Sequence, residues 1–335
     1  MEPTGLYRHS NRDLAWSETA ISIEVGCATA TRRLTHTVMW PHCQEDVPMS
    51  FSGYARALRE SSLPYRDELA ELVRPAVFLR SQAVSSESLP IGISRLGGLP
   101  DLPNDIAWPS WQGKPQSFIA QISLSEIPVF RDRNLLPESG LLFFFYDSTQ
   151  SASGTFGAER GSFAVSYSTH SGSARRPGDI PPGLDRNAIF KPARLSFTMG
   201  VTEPGWEHPI LERIGLSFEE RLAYAGVISQ VEKPVSSSRR SFHQMLGYPS
   251  PLQYAVAWDC ERAQVGFWEA DREKQRALEP LIREHVEEWE LLLQADWDPH
   301  ASMEWPGDGR IYYMIRRQDL EMRRFDKAWF VLQST

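Results

Sequence analysis

The sequence predicts an α+β fold of mixed or antiparallel sheets, built from two related strand–loop–strand units with a few flanking helices. Three observations carry this expectation. Short apolar runs bounded by glycine, proline and serine recur from Val77 to Leu332, the pattern of strands between turns. The stretches 217–224 and 271–289 have a helical signature instead. Finally, Phe118-Ile119-Ala120-Gln121-Ile122, followed by Gly140-Leu141-Leu142-Phe143-Phe144-Phe145, resembles Leu291-Leu292-Leu293-Gln294-Ala295, followed by Gly309-Arg310-Ile311-Tyr312-Tyr313-Met314. Each copy is an apolar strand carrying a glutamine, then a loop, then a glycine that opens an aromatic strand, which is how an internal repeat reads. Gln121 and Gln294 are expected to be equivalent.

Taken in chain order, residues 1–48 show only a weak alternation at Ile21, Ile23 and Val25 and hold Cys27 and Cys43. They are expected to be a poorly structured leader or a mis-assigned start, with Met49 opening the folded part. Residues 49–335 then form a single domain, with the duplication over about 76–167 and 252–333. Leu58, Leu63, Leu69 and Leu72 have helical spacing that Pro64 interrupts, so two short helices are expected. A strand at Val77-Phe78-Leu79 leads to a polar loop, 85–89. Gly92, Gly97-Gly98, Pro100, Pro103 and Trp108-Pro109 then imply an ordered loop without regular structure. Strands follow at 117–124 and 140–146, the second apolar enough to be buried on both faces. Further strands are expected at 163–167 and 193–199, separated by the Gly/Pro/Arg loop 171–182. Ser217 with Glu220 forms a capping box for the helix 217–224. In the helix 271–289, Leu278, Leu281, Ile282, Val286 and Trp289 share one face. Strands at 291–294, 310–315 and 328–332, with a helical turn at 318–322, complete the chain.

Composition narrows the function classes. Hydrophobic residues at 41% and charged residues at 23% suit a packed core. No run of about 18 apolar residues is present, and the start lacks a basic segment followed by an apolar one, so neither a membrane span nor a secretory signal is expected. Three cysteines fit a reducing cytoplasm better than a disulfide framework. A net charge of −8 argues against nucleic-acid binding, and the pairs Arg239-Arg240 and Arg316-Arg317 read as solvated surface. The 11 tryptophans suit core packing or stacking on a ligand, which makes Trp108 and Trp297 candidates for the latter.

Catalytic signatures are few. Gly92 to Gly97 has phosphate-loop spacing, but Gly98-Leu99 stands where Lys and Ser/Thr are required. Neither Gly-x-Ser-x-Gly nor His-Glu-x-x-His occurs. Cys260 lies between Asp259 and Glu261, which raise a thiol's pKa. His285 and Glu288 read as a solvated helix pair. Two clusters remain. Asp296, Asp298 and His300 alternate after a strand, with Asp308 across the turn, and could hold Mg²⁺, Mn²⁺ or Zn²⁺; loop-capping aspartates explain the same residues. His243-Gln244, Gly247-Tyr248-Pro249 and Gln253 form a patch of polar and turn residues suited to a ligand or to pinning a loop. With Gln121 and Gln294 these give the candidate ligand-binding set: Trp108, Gln121, His243, Gln253, Gln294 and Trp297.

Gly97-Gly98-Leu99-Pro100, Trp108-Pro109, 118–122, Leu136-Pro137, 140–146, 243–249, 291–294, 309–313 and Asp319-Leu320, in that order, resemble the YwqG-like family over about 94–333. Two departures stand out. Trp305-Pro306-Gly307-Asp308-Gly309 carries a proline where the family tends to read Trp-Gly-Asp, and Asp296-Trp297-Asp298 replaces its Asp-Ser-Asp. The resemblance implies a bacterial α+β protein and no established reaction. The favoured expectation is a non-enzymatic module that binds an unidentified small molecule or protein in an aromatic-lined cleft between the two sheet units. Two alternatives stand beside it: a divalent-metal hydrolase using Asp296, Asp298, His300 and Asp308, and an inhibitor whose acidic surface covers a partner toxin.

Overall fold

The computed structural model describes residues 50–84, 89–129, 135–170, 180–231 and 241–335, with side chains from Gly53 onward. The segment 1–48, Met49, Arg239-Arg240 and most of the loops 85–89 and 171–182 lie outside the described residues. In chain order the elements are α1 (Ser50–Glu60), α2 (Arg66–Glu71), β1 (Arg74–Ala83), β2 (Arg95–Leu96), β3 (Ser110–Trp111), β4 (Lys114–Pro115), β5 (Ser117–Ser123), β6 (Leu141–Tyr146), β7 (Phe163–Ser168) and β8 (Ala193–Thr202). They continue with α3 (Pro209–Ile214), α4 (Phe218–Ser229), β9 (His243–Met245), α5 (Val256–Gln264), α6 (Arg272–His285), β10 (Trp289–Ala295), β11 (Arg310–Arg316), α7 (Arg317–Glu321) and β12 (Trp329–Gln333).

The α+β expectation is overturned. Strands of both expected units hydrogen-bond into one ten-stranded antiparallel sheet, in the order β12-β11-β10-β9-β1-β8-β2-β5-β6-β7, nearly closed into a barrel, and the protein is β-rich. The physical reason is the pairing of β1 with β8, from Arg74 opposite Thr202 to Ala83 opposite Ala193. That long ladder joins what local patterns suggested were separate sheets.

Closure comes from the end strands. Phe163 of β7 meets Trp329 and Phe330 of β12 at ring-centroid distances of 5.3 and 5.7 Å. Beside them, Trp329 Nε1 donates to the Gly154 carbonyl at 2.8 Å, and Leu332 N donates to the Ser153 carbonyl at 2.8 Å. The enclosed face holds most of the core: Tyr146 stacks on Phe330 at 4.2 Å, and Phe144 meets Tyr313 edge-on at 5.0 Å. Full burial of each such side chain contributes about 1.5–3 kcal/mol. The other face of β6, Leu141, Phe143 and Phe145, packs beneath Leu102 and Trp108, so this strand is buried on both faces. A third cluster joins α1, α2, α3 and α4 through Tyr54, Leu58, Leu69, Leu211 and Tyr224 to Val201 of β8.

Local expectations met several refinements. The Pro64 break between α1 and α2 and the Ser217–Glu220 capping box are as read. The loop from Gly92 contains the short strand β2, because Arg95 and Leu96 are captured between β5 and β8. Helix α6 stops at His285 and carries Pro280; Ile282 is its buried residue, whereas Leu281 is exposed. His243-Gln244, expected in a loop, forms the strand β9 between β1 and β10.

Candidate functional site

The two glutamines make similar pairings. Gln121 lies opposite Arg95 and Phe143, Gln294 opposite Gln244 and Tyr312, and each follows an irregular register, at 118/120 and 291/293. Gln121 Oε1 accepts from Asp101 N at 2.8 Å and its Nε2 donates to the Ile93 carbonyl at 2.9 Å. Gln294 Oε1 accepts from Ser250 N at 2.9 Å and its Nε2 donates to the Phe242 carbonyl at 2.9 Å. Both amides hold backbone, as buried amides must. Trp108 also has a packing role, donating its indole N–H to the Gln116 carbonyl at 2.9 Å and meeting Phe145 edge-on.

The acidic turn separates into different partnerships. Asp296 accepts from Arg310 Nη2 at 2.8 Å and from Phe242 N at 3.0 Å. Asp298 is fully buried and lies 2.7 Å from His243 Nε2. Its other oxygen accepts from His300 N and Ala301 N at 2.8 and 3.0 Å. Because Asp296 N donates to His243 Nδ1 at 3.1 Å, the imidazole proton resides on Nε2 and is given to Asp298. Burial alone would raise the Asp298 pKa; hydrogen bonds from His243, Ser81 and Ala301 outweigh it and hold the carboxyl down to about 2. His300 Nδ1 instead lies 3.0 Å from Ser81 Oγ, Trp297 is exposed, and Asp308 occupies a left-handed turn at φ 48°. Among the described residues, no group of three or more His, Cys, Asp or Glu side chains could hold a metal ion. Cys260 is buried, and burial followed by Asp259 and Glu261 pushes its thiol well up, so it is a poor nucleophile.

A cavity lies elsewhere, on the face of the sheet opposite the main core. Val77 and Leu79 enter that core, so Arg74 and Phe78 of β1 face the other way and floor a cavity of about 370 Å³. The segment after β8, with Glu203, Trp206, Glu207 and His208, forms one wall. The turn after β9, Gly247 to Gln253, and the start of α5 form the other. Two turn features shape that second wall. Leu246 and Gly247 are both left-handed, at φ 58° and 65°, and a Cβ on Gly247 would lie 2.4 Å from Thr202 Oγ1. The same Thr202 oxygen accepts from Tyr248 N at 2.8 Å, pinning the wall to β8.

Two buried polar atoms on this wall lack hydrogen-bond partners: Gln244 Oε1 and Tyr248 Oη. Leaving such an atom unpaired costs about 1–3 kcal/mol, so each one calls for an explanation. Arg74 lies over the Tyr248 ring at 4.6 Å and pairs with Glu290 at 3.3 Å, and burial raises the Tyr248 hydroxyl pKa to about 12. His208 meets the Tyr248 ring edge-on at 5.0 Å and caps α3, its Nδ1 accepting from Ile210 N at 3.3 Å. Burial first, then Arg74 and Arg213, push the His208 pKa down to about 3, and the ring is neutral at pH 7.

The His208 shift gives a pH-dependent stability of definite sign. The unfolded ring takes up its proton near the ordinary value of 6.5, before the folded one does. Stability is therefore full above pH 6.5 and falls as pH drops toward 3. The expected loss is about 3 kcal/mol by pH 4. Melting curves from pH 7 to 4 check this: His208→Asn, which keeps a capping acceptor, should show a shallower decline, and parallel declines would refute the assignment.

Of the sequence candidates, Gln253 lines the cavity, and Gln244, Gly247, Tyr248 and Pro249 from its flagged patch do too; His243 turns to the opposite face. Arg74, Trp206 and His208 were not singled out. A signal for His208 was present in the order His-Pro before an apolar run, since proline favours the first helical position.

The fold and cavity define a class: a curled, nearly closed antiparallel sheet with a mixed polar and aromatic cavity on its outer face. Residues 94–334 match the model of the family described as Domain of unknown function (DUF1963), and the chain belongs to that family. The match begins after β1, although β1 is central to the sheet. No curated protein matches the chain.

Proposed function

We propose that this protein is a small-molecule-binding module whose site is the cavity over β1, β8 and β9. The observation that carries the reading is a cavity of about 370 Å³ whose lining combines apolar and aromatic side chains with Arg74, His208, Gln244, Tyr248 and Gln253. Ligand sites are concavities of roughly 300–1,000 Å³ with mostly apolar walls and a few fixed polar groups. Phe78, Phe242, Leu252, Val256 and Met314 supply such walls.

The sheet's symmetry supports the choice of half. From the centre outward the strands run β1, β9, β10, β11, β12 on one side and β8, β2, β5, β6, β7 on the other. We read this as a duplication in which β1, β2, β5, β6, β7 correspond to β8, β9, β10, β11, β12. At the places of Gln244 and Ser250 the first half carries Arg95 and Asp101, joined at 2.5 Å in a buried ion pair. The second half has lost that pair and carries the cavity. The ordered motifs from Gly97-Gly98-Leu99-Pro100 onward support placing the chain among YwqG-like bacterial proteins, and its cysteine usage supports a cytoplasmic location.

Gly205 provides the test. It lines the cavity, and a Cβ there would meet nothing within 4 Å, so Gly205→Phe fills the space without forcing the backbone. Ligand-observed NMR with a set of one- and two-ring fragments should give binders whose signals are lost with the Gly205→Phe protein. Fragments that bind both proteins equally, or none that bind the wild type, would overturn the reading.

A further inference from the structure

We propose that a second cavity, at the end of the sheet where the turns before β7 and β12 meet, binds a small organic oxyanion through Arg160 and Lys327. This site is separate from the cavity over β1, and the proposal does not rest on that one.

The second cavity has a volume of about 340 Å³. Arg160 enters its lining from the turn before β7, Lys327 and Trp329 from the approach to β12 and its first residue. Arg316 and Asp319 come from the junction of β11 with α7, and Trp289 from the start of β10. Three cations therefore share the lining with one carboxylate, in a chain whose net charge is −8.

These charges differ in their commitments. Arg316 gives Nη2 to Glu261 at 2.7 Å and Nη1 to Glu288 at 2.6 Å. Asp319 is held by Arg324 Nη2 at 2.5 Å. Lys327 Nζ lies 3.7 Å from Asp326, too far for a hydrogen bond, and both side chains are exposed. Arg160 has no carboxylate partner among the described residues. Its Nη2 donates to the Asp326 carbonyl at 3.1 Å and its Nη1 to the Ala328 carbonyl at 3.4 Å. A guanidinium carries five N–H groups, so most of the Arg160 donors stay unused. Arg160 and Lys327 are both exposed, which leaves their donors within a ligand's reach.

Arg160 is also fixed in place before any ligand arrives. The two carbonyls and the Trp329 ring, 5.3 Å from its Cζ, hold the guanidinium, so little ordering remains to oppose binding. Partial desolvation pushes its pKa down, and the charges of Asp326 and Asp319 offset this only in part. A cation drawn from water and short of counter-charge is completed by an anion, through charge-assisted hydrogen bonds. Trp289 and Trp329 direct their N–H groups to Glu261 and to the Gly154 carbonyl, so they offer a ligand ring surface alone. That surface suits a carbon scaffold bearing the oxyanion.

Benzoate and benzamide test the charge directly, because they share size and shape and differ in charge; phenyl phosphate distinguishes a phosphoryl group from a carboxylate. In ligand-observed NMR titrations at low salt, the better of the two anions should bind the wild-type protein about tenfold more tightly than benzamide, the gain of one charge-assisted hydrogen bond. Whichever anion that is names the class, carboxylate or phosphate monoester. Arg160→Met, which keeps a side chain over Trp329, should weaken it about tenfold, and Lys327→Met about threefold, with benzamide unchanged in both. Gly205→Phe, which fills the other cavity, should leave all three probes unaffected. Because Arg160 also bonds the approach to β12, its variant is compared only while its melting curve stays cooperative; Lys327→Met carries the test otherwise. Anions that bind no better than benzamide, anion affinity unchanged by both substitutions, or anion binding lost with Gly205→Phe would each overturn the proposal.

Discussion

Gly154→Ala is expected to lower the unfolding free energy by about 3–5 kcal/mol, because no atom fits where the new Cβ must go. Gly154 has φ 78°, a conformation that L side chains adopt only with strain, and its Cβ would lie 1.8 Å from the Phe330 carbonyl oxygen and 2.7 Å from its carbon. Both obstacles are backbone, so no rotamer change relieves them. The contact sits at the seam where β7 approaches β12. There the Gly154 carbonyl accepts from Trp329 Nε1, and the neighbouring Ser153 carbonyl accepts from Leu332 N. Moving residue 154 outward by the necessary ångström or more breaks both bonds and loosens the Phe163 contacts with Trp329 and Phe330. Urea unfolding measures the effect, with Gly226→Ala as control. Gly226 lies inside α4 with nothing within 4 Å of a Cβ, so alanine there should stabilise by about 0.5–1 kcal/mol. A Gly154→Ala protein within about 1 kcal/mol of wild type would show that the seam does not hold the sheet together.

The seam also shows where sequence reading stops. The strands at 117–124 and 140–146 were legible because a continuous apolar run between turn residues needs no partner to be recognised. So was the helix start at Ser217, whose cap is made by residues three apart. What joins these pieces is not local. β2 has two residues and β9 three, too short for any periodicity, and each is a strand only because longer neighbours capture it. Without them the halves read as separate units, and the α+β expectation followed. The site shows the same division. The patch from His243 to Gln253 was visible from its density of polar and turn residues, but Arg74 and His208 reach the cavity from β1 and the start of α3. The acidic turn left two readings open, a metal site and loop-capping aspartates. Alternation placed Asp296, Asp298 and His300 on one side of an extended chain, but the strand ends at Ala295, and the partners that separate the carboxylates are Arg310 and His243.

Asp298→Ala is expected to cost about 3–5 kcal/mol, because it leaves three buried donors without an acceptor at about 1–3 kcal/mol each. The fully buried carboxylate gathers three donors: the Nε2–H of His243 and the N–H groups of His300 and Ala301. Asp298→Asn keeps an oxygen for the two backbone donors but sets an amide against His243 Nε2–H, and an intermediate loss of about 1–3 kcal/mol follows. The acid limb of stability separates this role from simple packing. The Asp298 pKa falls from 3.8 when unfolded to about 2 when folded, so below pH 4 the unfolded chain binds the proton first. The contribution, about 2 kcal/mol, is therefore complete above roughly pH 4.5 and disappears as pH falls through 2. Melting curves of Asp298→Ala between pH 5 and 2 should be flatter than wild type by that amount. Wild-type curves should be unchanged by chelator or by added Mn²⁺ or Zn²⁺, because the carboxylate is committed to His243 and backbone. A wild-type melting temperature that rises with metal, and does so no longer in Asp298→Asn, would instead assign the carboxylate to a cation and refute the structural role.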